Sequence, residues 1–254
     1  MNELKRLLSF VRRAVDDYSM INDGDVIGVG VGVSGGKDSL ALLETLATMR
    51  RFYPKKYEIK AITIDMGFES ADFSPIKNFC DKIDVEFKTV KTEISKIVFD
   101  VRKESNPCSL CAKMRRGALH LAAKELGCNK VALGHHFDDA VETFIMNLFF
   151  EGRIGCFSPV TYLSNRDITL IRPLIYAEER DVRYFANKRN LPVYKNPCPE
   201  DRNTERENIK LLLANIEKGH KGLRHRIFHA ICKGNIDGFK LNGRVPDAGP
   251  LSDE

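Results

Sequence analysis

The sequence predicts an α/β protein built on an open, mostly parallel sheet with helices on both faces, followed by a helical C-terminal extension. Three observations predict it. Short apolar runs alternate with helical patterns from residue 26 to residue 172, the order expected of βαβ units. The run at residues 26–33 passes through a glycine turn directly into a helix start. Beyond residue 177 the strand-like runs cease and amphipathic helical spacing remains.

Each element has its own signal. Leu4, Leu7, Leu8, Val11, Ala14, Val15 and Tyr18 recur at helical spacing, and Asp23-Gly-Asp25 then marks a turn. Strands are expected at residues 26–33, 59–65, 85–91, 130–134 and 168–172, with helices at 38–50, 74–83, 112–127 and 137–150 between them. Right-handed crossovers put the strand C-terminal ends on one edge, where open sheets bind ligands. The glycine loop after residue 33, Asp65 with Met66, and residues 134–139 are therefore expected to converge. Residues 177–190 read as a charged amphipathic helix, Asn196-Pro-Cys-Pro199 as a rigid turn, and 203–233 as two helical segments broken near Gly219 to Gly222. The resulting division is an N-terminal helix (1–24), a nucleotide-binding α/β domain (25–197), a basic helical extension (198–240) and a tail (241–254) whose breakers predict disorder.

Composition narrows the classes. A 43% hydrophobic content suffices for a core, and 40 basic against 35 acidic residues leave a net charge of +5, compatible with a nucleic-acid partner without specifying one. No run is long and apolar enough for a membrane span, and the first residues lack the apolar core of an export signal. Seven cysteines, an odd count without export signals, speak for a reducing cytoplasm and against a disulfide framework.

Four constellations carry chemistry. Ser34-Gly-Gly-Lys-Asp-Ser39 joins glycine N–H groups, a helix N-terminus and the mobile charge of Lys37, which together make an anion site. It is too short for the Walker pattern, and Asp38 adds a carboxylate that makes sense with Mg²⁺ between it and a nucleotide. Gly134-His-His-Phe-Asp-Asp139, with Glu142 and Thr143, opens a second helix on the same edge. Asp138 and Asp139 there either complement the helix dipole or contact nucleotide or Mg²⁺, and His135 or His136 can reach a phosphate or simply start the helix. Pro107-Cys-Ser-Leu-Cys111 sets two thiols three positions apart at a helix start, with Cys198 between prolines the leading third. Spacing alone leaves zinc, an iron–sulfur cluster with one open iron, a redox pair and unrelated core cysteines all open. Cys80 and Cys128 read as buried structural thiols. Finally, Arg102, Lys103, Lys113, Arg115, Arg116, Lys124 and Lys130 face two acids across 102–130, and ten basic residues face six acids across 199–244, densest at 220–226. These charges form either a solvated face or an RNA-backbone surface.

Together these residues resemble a known family. The loop at 34–39 resembles the PP-loop of N-type ATP pyrophosphatases, which cleave ATP between the α and β phosphates. Residues 17–25, Cys108-Ser-Leu-Cys-Ala-Lys-Met-Arg-Arg-Gly117, residues 132–139 and Ile171-Arg-Pro-Leu-Ile-Tyr-Ala-Glu-Glu-Arg-Asp181 narrow the likeness to the tRNA 2-thiocytidine synthetases, across about residues 4–215. The resemblance implies the adenine nucleotide alpha hydrolase-like fold and ATP-dependent thiolation of a tRNA pyrimidine at C2. It implies ATP, Mg²⁺ and a [4Fe-4S] cluster held by Cys108, Cys111 and Cys198. It assigns nucleotide binding to Ser34, Gly35, Gly36, Lys37, Asp38, Ser39, Asp65, Met66, Gly134 and Asp139, and catalytic roles to Lys37, Asp38, Cys108 and Cys111. The implied partners are tRNA, a sulfur donor such as a cysteine desulfurase or sulfide, and a second copy in a homodimer. Two departures stand out: the Gly-Val alternation before the loop, and Pro197-Cys-Pro-Glu-Asp201 around the third cysteine. A 2-thiouridine synthetase is the alternative, although the zinc-binding cysteine pairs of that sister group are absent from the sequence. A small-molecule synthetase, a lysidine synthetase without need of the thiols, and a non-catalytic ATP-binding metalloprotein or sulfur carrier are further readings.

Overall fold

The computed structural model describes residues 3–31, 36–68, 71–102, 107–193 and 205–241. Helix α1 (Glu3–Asp17) leads into β1 (Asp25–Gly30), α2 (Lys37–Met49), β2 (Tyr57–Asp65), α3 (Ser74–Lys82) and β3 (Glu86–Lys91). A short helix α4 (Ile94–Lys96) continues as π-helical turns to Arg102, and α5 (Pro107–Glu125) follows. Then come β4 (Lys130–Ala132), α6 (Phe137–Phe150), β5 (Val160–Leu163), β6 (Ile168–Ile171), α7 (Glu179–Lys188), α8 (Glu205–Gly219) and α9 (Leu223–Lys233).

The six strands order as β3-β2-β1-β4-β6-β5. All neighbours are parallel except the β5–β6 hairpin, of which the sequence predicts only the second strand. Half-exposed β5 shows little of the apolar alternation that marks a strand. Sequence order runs outward on one side from β1 to β3, then resumes at β4 on the other. That reversal makes the β1/β4 boundary a switch point, where the flanking loops splay apart and leave a crevice at the strand C-termini.

Two clusters of buried side chains pack on the sheet. The larger joins α1, α2, α6, α7, α8 and α9, and includes Ile209, Leu213, Phe228, Ile231 and Phe239 from the last third of the chain. The smaller lies under α4 and α5, with Ile62, Ile64, Val98, Leu119 and Ala123. The glycines of β1 have a job in the second cluster. A Cβ on Gly30 would stand 2.7 Å from Leu119 Cδ2, so the bare backbone lets α5 lie close on the strand. At the sheet's opposite end, buried Lys130 pairs with Asp25 at 2.7 Å and donates to the Met20 carbonyl at 2.9 Å. It therefore belongs to the fold and not to a basic surface. Among the described residues no helix is long and apolar enough to cross a membrane.

Candidate active site

The crevice holds a cavity of about 300 Å³. Its walls come from Gly30 and Val31 of the first strand and its exit, Gly36, Asp38 and Ser39 at the start of α2, and Leu133, Gly134, His135 and Asp139 around β4 and α6. Ile62 and Ile64 of β2 and Arg115, Arg116 and Leu119 of α5 complete it. Gly36, at φ 66°, turns the chain into α2, and Ser39 Oγ donates to the Gly36 carbonyl at 3.0 Å. The first-turn N–H groups of α2 thus begin at the cavity. Gly134 packs on that turn: an added Cβ would lie 3.0 Å from the Ser39 nitrogen and 3.1 Å from the Asp38 carbonyl carbon. Only a glycine lets the two loops meet this closely.

Asp38 Oδ1 is buried with no hydrogen-bond partner, although Lys37 Nζ stands 3.0 Å away at ion-pair distance without suitable hydrogen-bond geometry. A buried carboxylate oxygen left short of partners at a phosphate-type loop fits a divalent cation. Lys37 Nζ also lies 3.3 Å from Glu179 Oε1. Glu179 accepts further from Lys210 at 2.7 Å and Arg183 at 2.7 Å. Burial works to raise its carboxyl pKa, but these three cations hold it well below the ordinary range.

His136 caps α6: its Nδ1 accepts from the Asp139 N–H at 3.4 Å, while Asp139 Oδ2 accepts from the His136 N–H at 2.9 Å. So Asp139 is both a helix-capping carboxylate and part of the cavity wall. Burial pushes its pKa up, and His136, His135 and Arg206 together pull it below the ordinary value. Behind it, Arg206 donates to Asp139 Oδ1 at 3.0 Å, Thr143 Oγ1 at 3.3 Å and Glu142 Oε2 at 3.4 Å. Arg224 donates to Asp138 Oδ1 at 3.2 Å, and Asp138 Oδ2 accepts from the Glu179 N–H at 2.7 Å. The charge pattern of 199–244 predicts a solvated or RNA-facing surface, but Arg206, Lys210 and Arg224 turn inward on the acids of α6 and α7. Their partners lie 31 to 86 positions away in sequence, so local charge counting does not find them.

Asp65 and Met66 do not line the cavity. Asp65 Oδ1 accepts from the Gly67 N–H at 2.9 Å and closes its own turn, and Met66 is buried in the smaller core. Ile62 and Ile64, on the preceding stretch of the same strand, stand in the wall instead. Ser34, Gly35 and Cys198 lie outside the described residues.

Cys108 and Cys111 sit in the first turn of α5, exposed and half-buried respectively. Arg115 lies one turn further along, at positions i+7 and i+4 from the two thiols, so the three share one helix face. Arg115 and Arg116 line the cavity and make no ion pair with a carboxylate among the described residues. The other four described cysteines are buried, and desolvation pushes Cys80, Cys156 and Cys232 up to about 12 and Cys128 to about 11. These four thiols lie singly in the core, whereas Cys108 and Cys111 stand three positions apart at the start of α5 and are the described thiols set at ligand spacing. No complete set of three ligands falls within the described residues.

A switch-point cavity with a glycine turn, a helix N-terminus and an underfilled carboxylate defines a nucleotide-binding α/β protein. A PP-loop domain model matches residues 12–233. Over 235 residues the chain is 39% identical to a tRNA-cytidine(32) 2-sulfurtransferase of Geobacter sulfurreducens, covering 91% of this chain and 90% of the relative. It is 36% identical to one from Syntrophotalea carbinolica, covering 91% and 89%. The U34-tRNA thiolase of Methanococcus maripaludis, solved with its [4Fe-4S] cluster, superposes with a TM-score of 0.73 at 26% identity, over 90% of this chain and 77% of that one. The chain belongs to the PP-loop family and, within it, to the tRNA 2-thiocytidine synthetases.

Proposed function

We propose that this protein is an ATP-dependent tRNA sulfurtransferase that converts cytidine to 2-thiocytidine, at position 32 as in the names of its relatives. One observation carries the reading. The cavity at the α2 start is walled by Arg115 and Arg116 of the helix whose first turn bears Cys108 and Cys111. That shared helix supports activation and sulfur delivery at one place.

In the reaction the C2 oxygen of the base attacks the α-phosphorus of ATP and pyrophosphate leaves. A sulfur nucleophile then forms the C–S bond at C2, and the C–O bond breaks with AMP as leaving group. The N–H groups at the α2 start and Lys37 bind phosphate oxygens and offset the growing charge on pyrophosphate. For that, Lys37 exchanges its contacts with Asp38 and Glu179 for phosphate. Asp38 and Asp139, which both line the cavity, would hold Mg²⁺, and Arg115 and Arg116 would neutralise the remaining phosphate charge. Ile62 and Ile64 offer apolar surface to the adenine. Cys108 and Cys111, joined by Cys198, would hold a [4Fe-4S] cluster, which when bound supplies a thiophilic site for the incoming sulfur. The exposed cations Lys113, Lys218 and Lys221 are the side chains for the tRNA backbone. Free sulfide, or the persulfide sulfur of a cysteine desulfurase brought to the sulfide level by a two-electron thiol reductant that leaves as disulfide, supplies the sulfur, in the cytoplasm, and the enzyme works as a homodimer.

The test is anaerobic reconstitution with ATP, Mg²⁺, sulfide and tRNA, followed by mass spectrometry of the nucleosides. 2-Thiocytidine with equimolar AMP and pyrophosphate is expected. The likeness to a U34-tRNA thiolase favours uridine as the second reading, and 2-thiouridine in place of 2-thiocytidine would establish it. ATP binding without either product would leave a non-catalytic protein. Lys37→Ala is expected to abolish AMP formation while the bound iron stays at the wild-type level; loss of both would point to unfolding.

A further inference from the structure

His135 stands in the cavity wall at the exit of β4, beside the loop that caps α6. A face of its ring stacks on Phe157, with centroids 5.0 Å apart and planes inclined at 29°. Its Nδ1 edge meets Arg172, whose Nε–H donates at 3.2 Å. Arg172 is itself immobilised. It is buried just beyond β6, donates through Nη1 to the Ser158 carbonyl at 2.5 Å, and lies 4.9 Å from the centroid of the same Phe157 ring.

A guanidinium carries donors and no acceptor. Whichever imidazole nitrogen faces Arg172 must therefore present its lone pair, and the proton sits on the opposite nitrogen. We propose that His135 is a tautomer-locked hydrogen-bond donor: Arg172 keeps Nδ1 as an acceptor, so that Nε2–H is offered to an oxygen of the nucleotide's phosphate chain. The inference rests on the reading that ATP occupies this cavity.

The charges around the ring agree with a neutral donor. Burial lowers its pKa to about 4, aided by Arg172 after β6, Arg206 on α8 and the adjacent His136, and opposed by Asp139 on α6. The imidazole is thus neither a general base, since its free nitrogen is occupied, nor an added cation. It fixes the direction of one phosphate oxygen without adding to the positive charge of Lys37, Arg115 and Arg116. Because the second nitrogen sets which proton the first can carry, Arg172 acts as a positioning residue.

Imidazole ¹⁵N spectra of the full chain test the lock directly. The Nε2–H tautomer is expected to persist across about pH 5.5–8, the range in which an ordinary histidine changes charge. An Nδ1–H tautomer, or protonation with a midpoint near the usual value, overturns the proposal. Arg172→Met frees Nδ1, so the His135 signals of that variant should begin to titrate or mix tautomers; unchanged signals would show that Arg172 sets nothing. Titration with Mg-ATP supplies the functional readout. His135→Phe should weaken ATP binding about tenfold or more, as expected for losing a hydrogen bond to a charged acceptor, with bound iron unchanged. His135→Gln, which keeps an N–H donor, should recover most of that loss. His135→Phe with wild-type affinity overturns the donor role and leaves ATP in the cavity; a wild-type protein that binds no ATP overturns both.

Discussion

Glu142 sits on the third position past Asp139 in a helix that already carries two acids in its first turn, and its side chain is only 5% exposed. Desolvation, followed by the neighbouring Asp139 charge, raises its pKa from 4.5 to about 6 despite Arg206 and Lys210 nearby. The sign follows from linkage. The folded state binds this proton more tightly than the unfolded state, so the charged form is penalised above about pH 6 and the penalty vanishes below about 4.5. Across that window the shift costs about 2 kcal/mol of stability as pH rises. Glu142→Gln removes the titration, so its Tm should gain on the wild type between about pH 4.5 and 7. Thermal unfolding of both proteins at the two pH values measures this, and a constant difference would show that Glu142 is not the strained group. The sequence places Glu142 one turn beyond Asp139 but does not show its environment. Arg206 and Arg224 supply that environment from 64 and 82 residues downstream, and nothing in their own segment marks them as inward-facing. The place of Asp38, Gly134 and Asp139 at the cavity is legible for the opposite reason: backbone turn and helix start are local, so spacing alone positions them.

At the level of elements, the approach of α5 to β1 links the phosphate loop to the thiols. Gly30 ends the strand just before the loop, and Leu119 fills the space that a side chain there would need. Gly30→Ala forces Leu119 or the helix to move and should cost about 1–3 kcal/mol, as overpacking does. Leu119→Ala alone should cost about 2–5 kcal/mol by leaving a cavity. Their sum overestimates the double variant, because the new methyl enters the space the leucine vacates. Denaturant unfolding of the three variants checks the coupling; strict additivity would mean that strand and helix do not bear on each other here. The Gly-Val alternation before the loop, a departure from the family pattern in the sequence, is this contact seen from outside. The same helix makes a second prediction. Alanine at Cys108 or Cys111, or at Cys198, should abolish bound iron in anaerobic preparations. Alanine at Cys80, Cys128, Cys156 or Cys232 should leave iron in place and instead lower stability, since those thiols lie singly in the core. Iron loss from the buried set would redirect the cluster. Strand β5 is not legible in the sequence because an antiparallel edge strand with half-exposed residues needs no continuous apolar run.

For the molecule as a whole, the question is what the last third of the chain contributes. Read along the sequence it is a basic helical extension beyond an α/β domain. In three dimensions Ile209 and Leu213 of α8, Phe228, Ile231 and Cys232 of α9, and Phe239 beyond them are buried in the core that α1, α2 and α6 share. The Phe228 ring packs against Phe137 with centroids 4.7 Å apart and planes tilted by 39°, and Phe137 begins the helix that carries Asp138 and Asp139. Amphipathic spacing showed that these helices have an apolar face; it could not show that the face lies on α6, because that contact depends on long-range closure. Removing residues 205–254 would expose this apolar surface and leave Asp138, Asp139 and Glu142 without Arg206 and Arg224. A chain ending at residue 204 is therefore expected to lose cooperative unfolding and near-ultraviolet dichroism while keeping helical signal, the behaviour of a core that has lost specific packing. A truncated chain that unfolded cooperatively and still bound ATP would show instead that the α/β sheet and α1–α7 form a self-sufficient unit, with the last two helices serving tRNA alone. Charge argues against that outcome. Of the six cations on α8 and α9, Arg206, Lys210 and Arg224 are committed to carboxylates at the site, Arg226 donates to the carbonyls of Lys221 and His220, and Lys218 and Lys233 are exposed. The segment proposed to meet tRNA is then the same one that holds the acids beside the cavity in place.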